Sequence, residues 1–144
     1  MLQTQRPDYV LDAIAAGVDE KMIERLVRAF YGDIRADEVL GPIFEARISD
    51  WEPHLQRMCA FWSSVMLRSG RYSGRPMPMH APLPVGGAHF DRWLGLFEAA
   101  AQRECGAAAD LFVARARMIA QSLELGIAGA RGLILGLDER LPAP

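Results

Sequence analysis

The sequence predicts an all-α fold, and three observations carry that prediction. Apolar residues recur at spacings of three and four in one segment after another, the period of a helix with one buried face. The period-two alternation of a half-buried strand is weak throughout. Helix-boundary residues stand at the ends of the periodic segments: Pro7, Gly17, Asp19, Asp50 and Pro53.

Each element follows from these signals. Residues 7–16 form a short first helix, with Pro7 in the first turn and Gly17 as its stop. Asp19 caps a second helix that runs to about Arg35. Its apolar face holds Met22, Ile23, Leu26, Val27, Phe30, Tyr31 and Ile34. In DEVLGPIFEARI, the Gly41-Pro42 pair breaks the helix and leaves a tight, partly apolar connection. A third helix starts near Ser49 or Asp50 and runs to about Leu67, with Pro53 in its first turn. His54 falls on the apolar face of that helix, one turn before Met58 and two before Trp62. Residues 68–87 read as a loop, long for so short a chain. A fourth helix covers about 88–105, with Phe90, Trp93, Leu94, Phe97 and Cys105 inward. A fifth covers about 107–126, with Leu111, Phe112, Met118, Ile119, Ser122 and Leu125 as candidate core positions. The Gly-interrupted tail adds a last helical turn or frays.

Composition narrows the function classes. The chain has 144 residues, 51% of them apolar, enough for one domain with a real core. We read it as a single domain over 1–144, with an extension at 1–18, a core over about 19–128 and a tail at 129–144. The net charge is −2, and the arginines are scattered. Neither a nucleic acid nor a membrane surface is expected as a partner. No apolar run approaches the roughly 20 residues needed to cross a bilayer. Two cysteines, Cys59 and Cys105, sit in helix-like apolar stretches and read as reduced, buried thiols of a cytoplasmic protein.

The chemistry-bearing residues are few. There are three histidines, and phosphate loops, HExxH motifs and nucleophile elbows are all missing. Taken singly, His54 reads as a core histidine, His80 as a turn residue and His89 as a cap or surface residue. Taken together they suggest more. His80 lies in GRPMPMHAPLPVGG, where Pro76, Pro78, Pro82 and Pro84 stiffen the backbone around one imidazole. Helical faces add Phe30, Tyr31, His54, Met58, Phe90 and Trp93. A fixed imidazole, a flat apolar slot and a few polar tips suit haem, with plain core packing as the alternative.

The ordered run LVRAFYGDIRADEVLGPIFE, WEPHLQRMCAFWSSVML, GRYSGRPMPMH, FDRWLGLF and RARMIAQSL resembles the group III truncated haemoglobins over about residues 20–125. The resemblance implies a shortened globin, a two-over-two helical sandwich around haem b, with a short extra N-terminal helix here. It implies that His80 is the proximal iron ligand, on a segment clipped to a loop or a single turn. A backbone carbonyl is expected on its second ring nitrogen. Tyr31 and Trp93 match the distal donors. His54 matches a distal-helix histidine that gates access. Phe44 matches the residue stacked on the haem face. Phe30, Met58, Phe61, Trp62, Met79, Phe90 and Met118 are looser matches to the haem wall. Arg57 lies one turn beyond His54, placed for a haem propionate or for solvent, with Arg71 and Arg75 as weaker candidates.

The first 20 residues and the tail exceed the family's pattern, and Cys59 stands where a small residue is expected. The implied function is binding of dioxygen, nitric oxide or carbon monoxide, or reaction with peroxide, with an electron-donating reductase as partner. Within the family that spans nitric oxide dioxygenase and peroxidase-like activities, and two or three distal donors favour capture or redox chemistry over bulk transport. The rival readings are a haem-based gas sensor and, without haem, a helical module that binds a partner helix or a small apolar ligand.

Overall fold

The computed structural model describes residues 7–76 and 80–143. Helix α1, Asp8–Ala15, starts behind Pro7 and ends where Gly17 takes φ +88°, a left-handed value that suits glycine. The Val18 N–H then folds back to the Ala13 carbonyl at 2.9 Å. Helix α2, Glu20–Ala36, is capped by Asp19, whose Oδ1 accepts from the Met22 N–H at 2.9 Å. Its buried face is Ile23, Leu26, Val27, Phe30, Tyr31 and Ile34. That is the face expected from spacing, except that Met22 is only partly buried.

The expected break at Gly41-Pro42 is instead the first turn of a helix, α3, Leu40–Arg47. Pro42 sits third in that helix, where a backbone N–H has no intrahelical acceptor to lose. Asp37 supplies the missing cap, accepting from the Val39 and Leu40 N–H groups at 3.1 and 2.9 Å. Gly41 is there for close approach, since a Cβ would lie 2.8 Å from the Arg35 carbonyl oxygen. Helix α4, Trp51–Leu67, begins and ends as expected and closes on Arg68 in the left-handed region.

Beyond the loop, α5 spans Gly87–Cys105, a 3₁₀ turn spans Gly106–Ala108, and α6 spans Ala109–Ala130. Helices α2 and α4 pack together, α5 and α6 pack together, and α2 lies on α5. This is the two-over-two sandwich. Between the layers, Phe30 meets Phe97 edge-on at 5.1 Å and Trp62 stacks on Phe97 at 4.9 Å.

Helix α6 corrects the sequence reading. It runs four residues past position 126, through Gly126 and Gly129. Its buried face is Ala109, Phe112, Val113, Ala116, Ala120, Glu124, Ile127 and Ala128. Met118 and Leu125 are instead 54% and 48% exposed, and Ser122 is exposed too. Small alanines let α6 sit close to its neighbours, so the inward side is not the side with the largest apolar residues.

Past Ala130 the described tail is not helical; it docks. Leu141 is buried, its carbonyl accepts from the Gly87 N–H at 2.7 Å, and its N–H donates to Glu124 at 2.9 Å. At the other end, Val10 and Ala13 of α1 are also fully buried. Both cysteines are free and buried, as expected. Among the described residues, no helix is long and apolar enough to cross a membrane.

Candidate functional site

Five helices and the loop enclose a cavity of about 210 Å³, far more than a packing defect. Helix α2 contributes Tyr31, and α3 contributes Leu40, Ile43 and Phe44. Helix α4 contributes His54, Arg57, Met58, Phe61 and Trp62 at spacings of three and four. The loop adds Tyr72, Pro76, His80, Leu83 and Val85; α5 adds His89, Phe90 and Trp93; α6 adds Ile119, Ala120 and Leu123. Most of the expected site residues therefore meet at one cavity. Phe30 does not line it; it lies fully buried behind, edge-on to Tyr31 and Trp93 at 5.0 and 5.2 Å. Met118 does not line it either, because it faces away from α5 on the exposed side of α6. Met79 lies outside the described residues.

His80 is held by its own segment. Its Nδ1 lies 2.6 Å from the Pro76 carbonyl oxygen. A carbonyl only accepts, so Nδ1 carries a proton, which in the neutral ring leaves the lone pair on Nε2. This is the backbone partner expected for a ligating imidazole.

The other polar tips are unpaired. Tyr31 is 6% exposed, and among the described residues its hydroxyl has no hydrogen-bond partner within the protein. Burial pushes its phenol pKa up, so the group stays protonated as a donor. The Trp93 indole N–H likewise has no partner among the described residues, while its ring stacks on Phe97 at 5.6 Å. The His54 ring stands edge-on to Tyr31 at 5.1 Å and to Trp51 at 5.7 Å. His54 Nε2 is buried without a hydrogen bond, alone in this among buried side-chain N and O atoms of the described residues. Burial first, then the charges of Arg57 and His80, lower its pKa to about 4, so the ring is neutral at pH 7.

Residues 10–121 match the bacterial-like globin family. The chain belongs to that family. It is 35% identical over 86 residues to the group 3 truncated haemoglobin ctb of Campylobacter jejuni, covering 56% of this chain and 68% of that one. The crystal structure of the group III truncated haemoglobin from Campylobacter jejuni superposes with a TM-score of 0.69 at 31% identity, over 74% of this chain and 88% of that one. The haemoglobin of Chloroflexus aurantiacus superposes with a TM-score of 0.63 at 24% identity, over 82% and 98% of the two chains, and shares the fold. The chain is thus a truncated globin of group III type, and the cofactor of such globins is haem b. The cavity fits that group: an apolar slot, one imidazole with a free Nε2, and an orphaned polar atom in the same space.

The rim of the globin pocket carries charge. Arg57 is exposed, lines the cavity and makes no ion pair among the described residues. Arg71 is taken up by Glu20, which also accepts from Ser63 at 2.7 Å. Arg35 lies 4.5 Å over the Trp51 ring and donates to Glu45 at 2.9 Å, fixing the corner between α3 and α4. Sequence reasoning missed several lining residues. Ile43 was hidden by the supposed break, and Leu83 and Val85 were read only as loop. The cap reading of His89 is right, as its Nδ1 accepts from the Gly86 N–H at 2.9 Å. Its place on the cavity wall was not foreseen.

Proposed function

We propose that this globin captures diatomic ligands, with His80 as the residue that would hold the haem iron and Tyr31, Trp93 and His54 as the groups that would meet the captured ligand. Bound in the cavity, haem b supplies an iron centre with an open position for dioxygen, nitric oxide or carbon monoxide. The chain's residues decide what happens to the ligand. The Pro76 carbonyl fixes the His80 tautomer and raises its basicity. The Tyr31 O–H and the Trp93 N–H supply two unpaired donors, which favour a ligand carrying partial negative charge. His54, neutral at pH 7, adds a third polar tip without adding charge. Phe44, Met58, Phe61, Trp62 and Phe90 exclude water and keep those donors strong. Arg57 at the rim is placed for a carboxylate of the cofactor.

The reading rests most on one observation. His54 Nε2 is left unpaired inside the protein, on the same cavity as a histidine with a free Nε2. An orphaned polar atom costs about 1–3 kcal/mol unless something in the cavity uses it. Three donors around one ligand slow its release. This suits tight capture and nitric oxide or peroxide chemistry better than bulk oxygen transport, and implies an electron-donating reductase as partner. Absorption spectra of the ferric and ferrous protein test the site. His80→Ala is expected to lose the five-coordinate ferrous spectrum of a histidine-ligated haem and to regain it with added imidazole. An unaltered spectrum in His80→Ala would refute the axial assignment.

A further inference from the structure

The segment that carries His80 is poor in backbone donors, because Pro76, Pro82 and Pro84 have no N–H. It holds its shape partly through bonds from elsewhere. Arg47 of α3 donates to the Pro82 carbonyl at 3.0 Å. Arg131, just past the end of α6, donates to the Leu83 carbonyl at 2.8 Å and to the Pro142 carbonyl at 3.3 Å. The Leu83 N–H in turn donates to the His80 carbonyl at 2.9 Å. One residue, Leu83, therefore separates the Arg131 guanidinium from the backbone of His80.

The tail keeps Arg131 in place. Arg140 binds both oxygens of buried Glu124 on α6, at 2.9 Å and 3.0 Å, and also reaches Asp91 and the Gly87 carbonyl on α5. Leu141 pairs with the Gly87 N–H. This close approach needs glycine, since a Cβ on Gly87 would lie 2.9 Å from the Arg140 Cβ, and one on Gly86 2.9 Å from the Leu141 carbonyl oxygen. These tail residues lie beyond the matched family region, which ends at 121.

We propose that Arg131, anchored by the docked tail, is a positioning residue for His80: it fixes Leu83 through its carbonyl, and through the Leu83 N–H the backbone of His80, whose imidazole would hold the iron. The proposal rests on the axial reading of His80. Arg131 is not among the residues that line the cavity. Its effect passes through the Leu83 carbonyl.

The test uses the haem-loaded full chain in four forms: wild type, Arg131→Ala, Arg131→Lys and Arg117→Ala. Among the described residues Arg117 makes a 3.7 Å surface pair with Glu98 and no hydrogen bond to the loop, so its loss is the control. Amide exchange at Leu83 is expected to quicken about tenfold in Arg131→Ala, the loss of about 1.4 kcal/mol of local protection. The iron–histidine stretching band of the ferrous protein is expected to shift or broaden. Haem transfer to an acceptor apoglobin is expected to quicken several-fold. Lysine, with one compact donor group, should restore part of each effect, and Arg117→Ala should match wild type. A wild-type stretching band together with wild-type exchange at Leu83 in Arg131→Ala would overturn the brace and leave His80 as the ligand. A wild-type protein whose band survives His80→Ala would sink the axial reading, and the brace with it.

Discussion

Replacing Tyr31 by Phe separates ligand binding from folding, because the two respond in opposite directions. Tyr31 is a buried residue whose hydroxyl has no partner within the described residues, and it lines the same cavity as the unpaired His54 Nε2. In the haem-free protein a hydroxyl without a protein partner contributes no hydrogen bond to stability, and any part of it taken out of water counts against folding. The Phe ring keeps the edge contacts to Phe30, Phe44 and His54 at 5.0, 6.1 and 5.1 Å. The Tm of the haem-free variant is thus expected to equal wild type or to exceed it, at about 2–4 °C for each kcal/mol relieved. In the loaded protein the same change removes a donor to a ligand of partial negative charge, about 1.5–3 kcal/mol for one charge-assisted bond. Oxygen release is expected to speed by roughly tenfold or more. Stopped-flow displacement of oxygen by carbon monoxide measures the release rate, and calorimetry of the haem-free protein measures Tm. An unchanged rate with a Tm several degrees lower would refute the reasoning, because the hydroxyl would then be bonded inside the protein.

Two further perturbations act on separate parts of the molecule. Asp37→Ala removes the cap of α3 and the partner of Arg92, whose Nε meets both carboxylate oxygens at 2.9 and 2.7 Å; thermal unfolding should show a loss of about 1–2 kcal/mol. Arg92 is also the main reason the Asp37 pKa falls to about 2, so that contribution is present above the ordinary carboxylate range and fades as pH falls towards 2. His54 acts in the same sense, at higher pH. Its pKa drops from 6.5 to about 4 on folding, so between those values the unfolded chain binds the extra proton and stability falls as pH falls. His54→Leu is expected to flatten the stability profile of the haem-free protein between pH 6.5 and 4, by about 1–2 kcal/mol after allowance for the ring's partial exposure. A profile parallel to wild type over that range would mean that His54 is solvated.

Local signals in the sequence were legible where one element decides the outcome. Asp19 and Gly17 act within four residues of themselves, and the structure uses both as read. The face of α2 was legible because large residues repeat along it. Gly41-Pro42 misled because the same dipeptide serves a break or a first turn. What decides is Asp37, four residues upstream, and the crowding against the Arg35 carbonyl that excludes a Cβ. Helix α6 misled for a related reason: Ala116 and Ala120 face the core because α5 comes close, and only the packed neighbour makes an alanine face the inner one.

The pocket divides along the same line. His80, Tyr31, His54 and Trp93 were legible as residue types on stiff or amphipathic segments, and they converge on one cavity. What holds His80 was legible only in part. A carbonyl acceptor for its ring was expected from the prolines nearby, and Pro76 provides it within four residues. The outer hold was not, because Arg131 lies 48 residues from Leu83 and Arg140 lies 53 from Gly87. No periodicity spans such distances. Yet the proline-rich loop already posed the question, since a segment short of N–H donors offers carbonyls that must find partners elsewhere. Two arginines supply them at Pro82 and Leu83, and one of the two belongs to the tail. The tail, read as a last helical turn or a frayed end, is therefore where the chain closes an account of hydrogen bonds opened around His80.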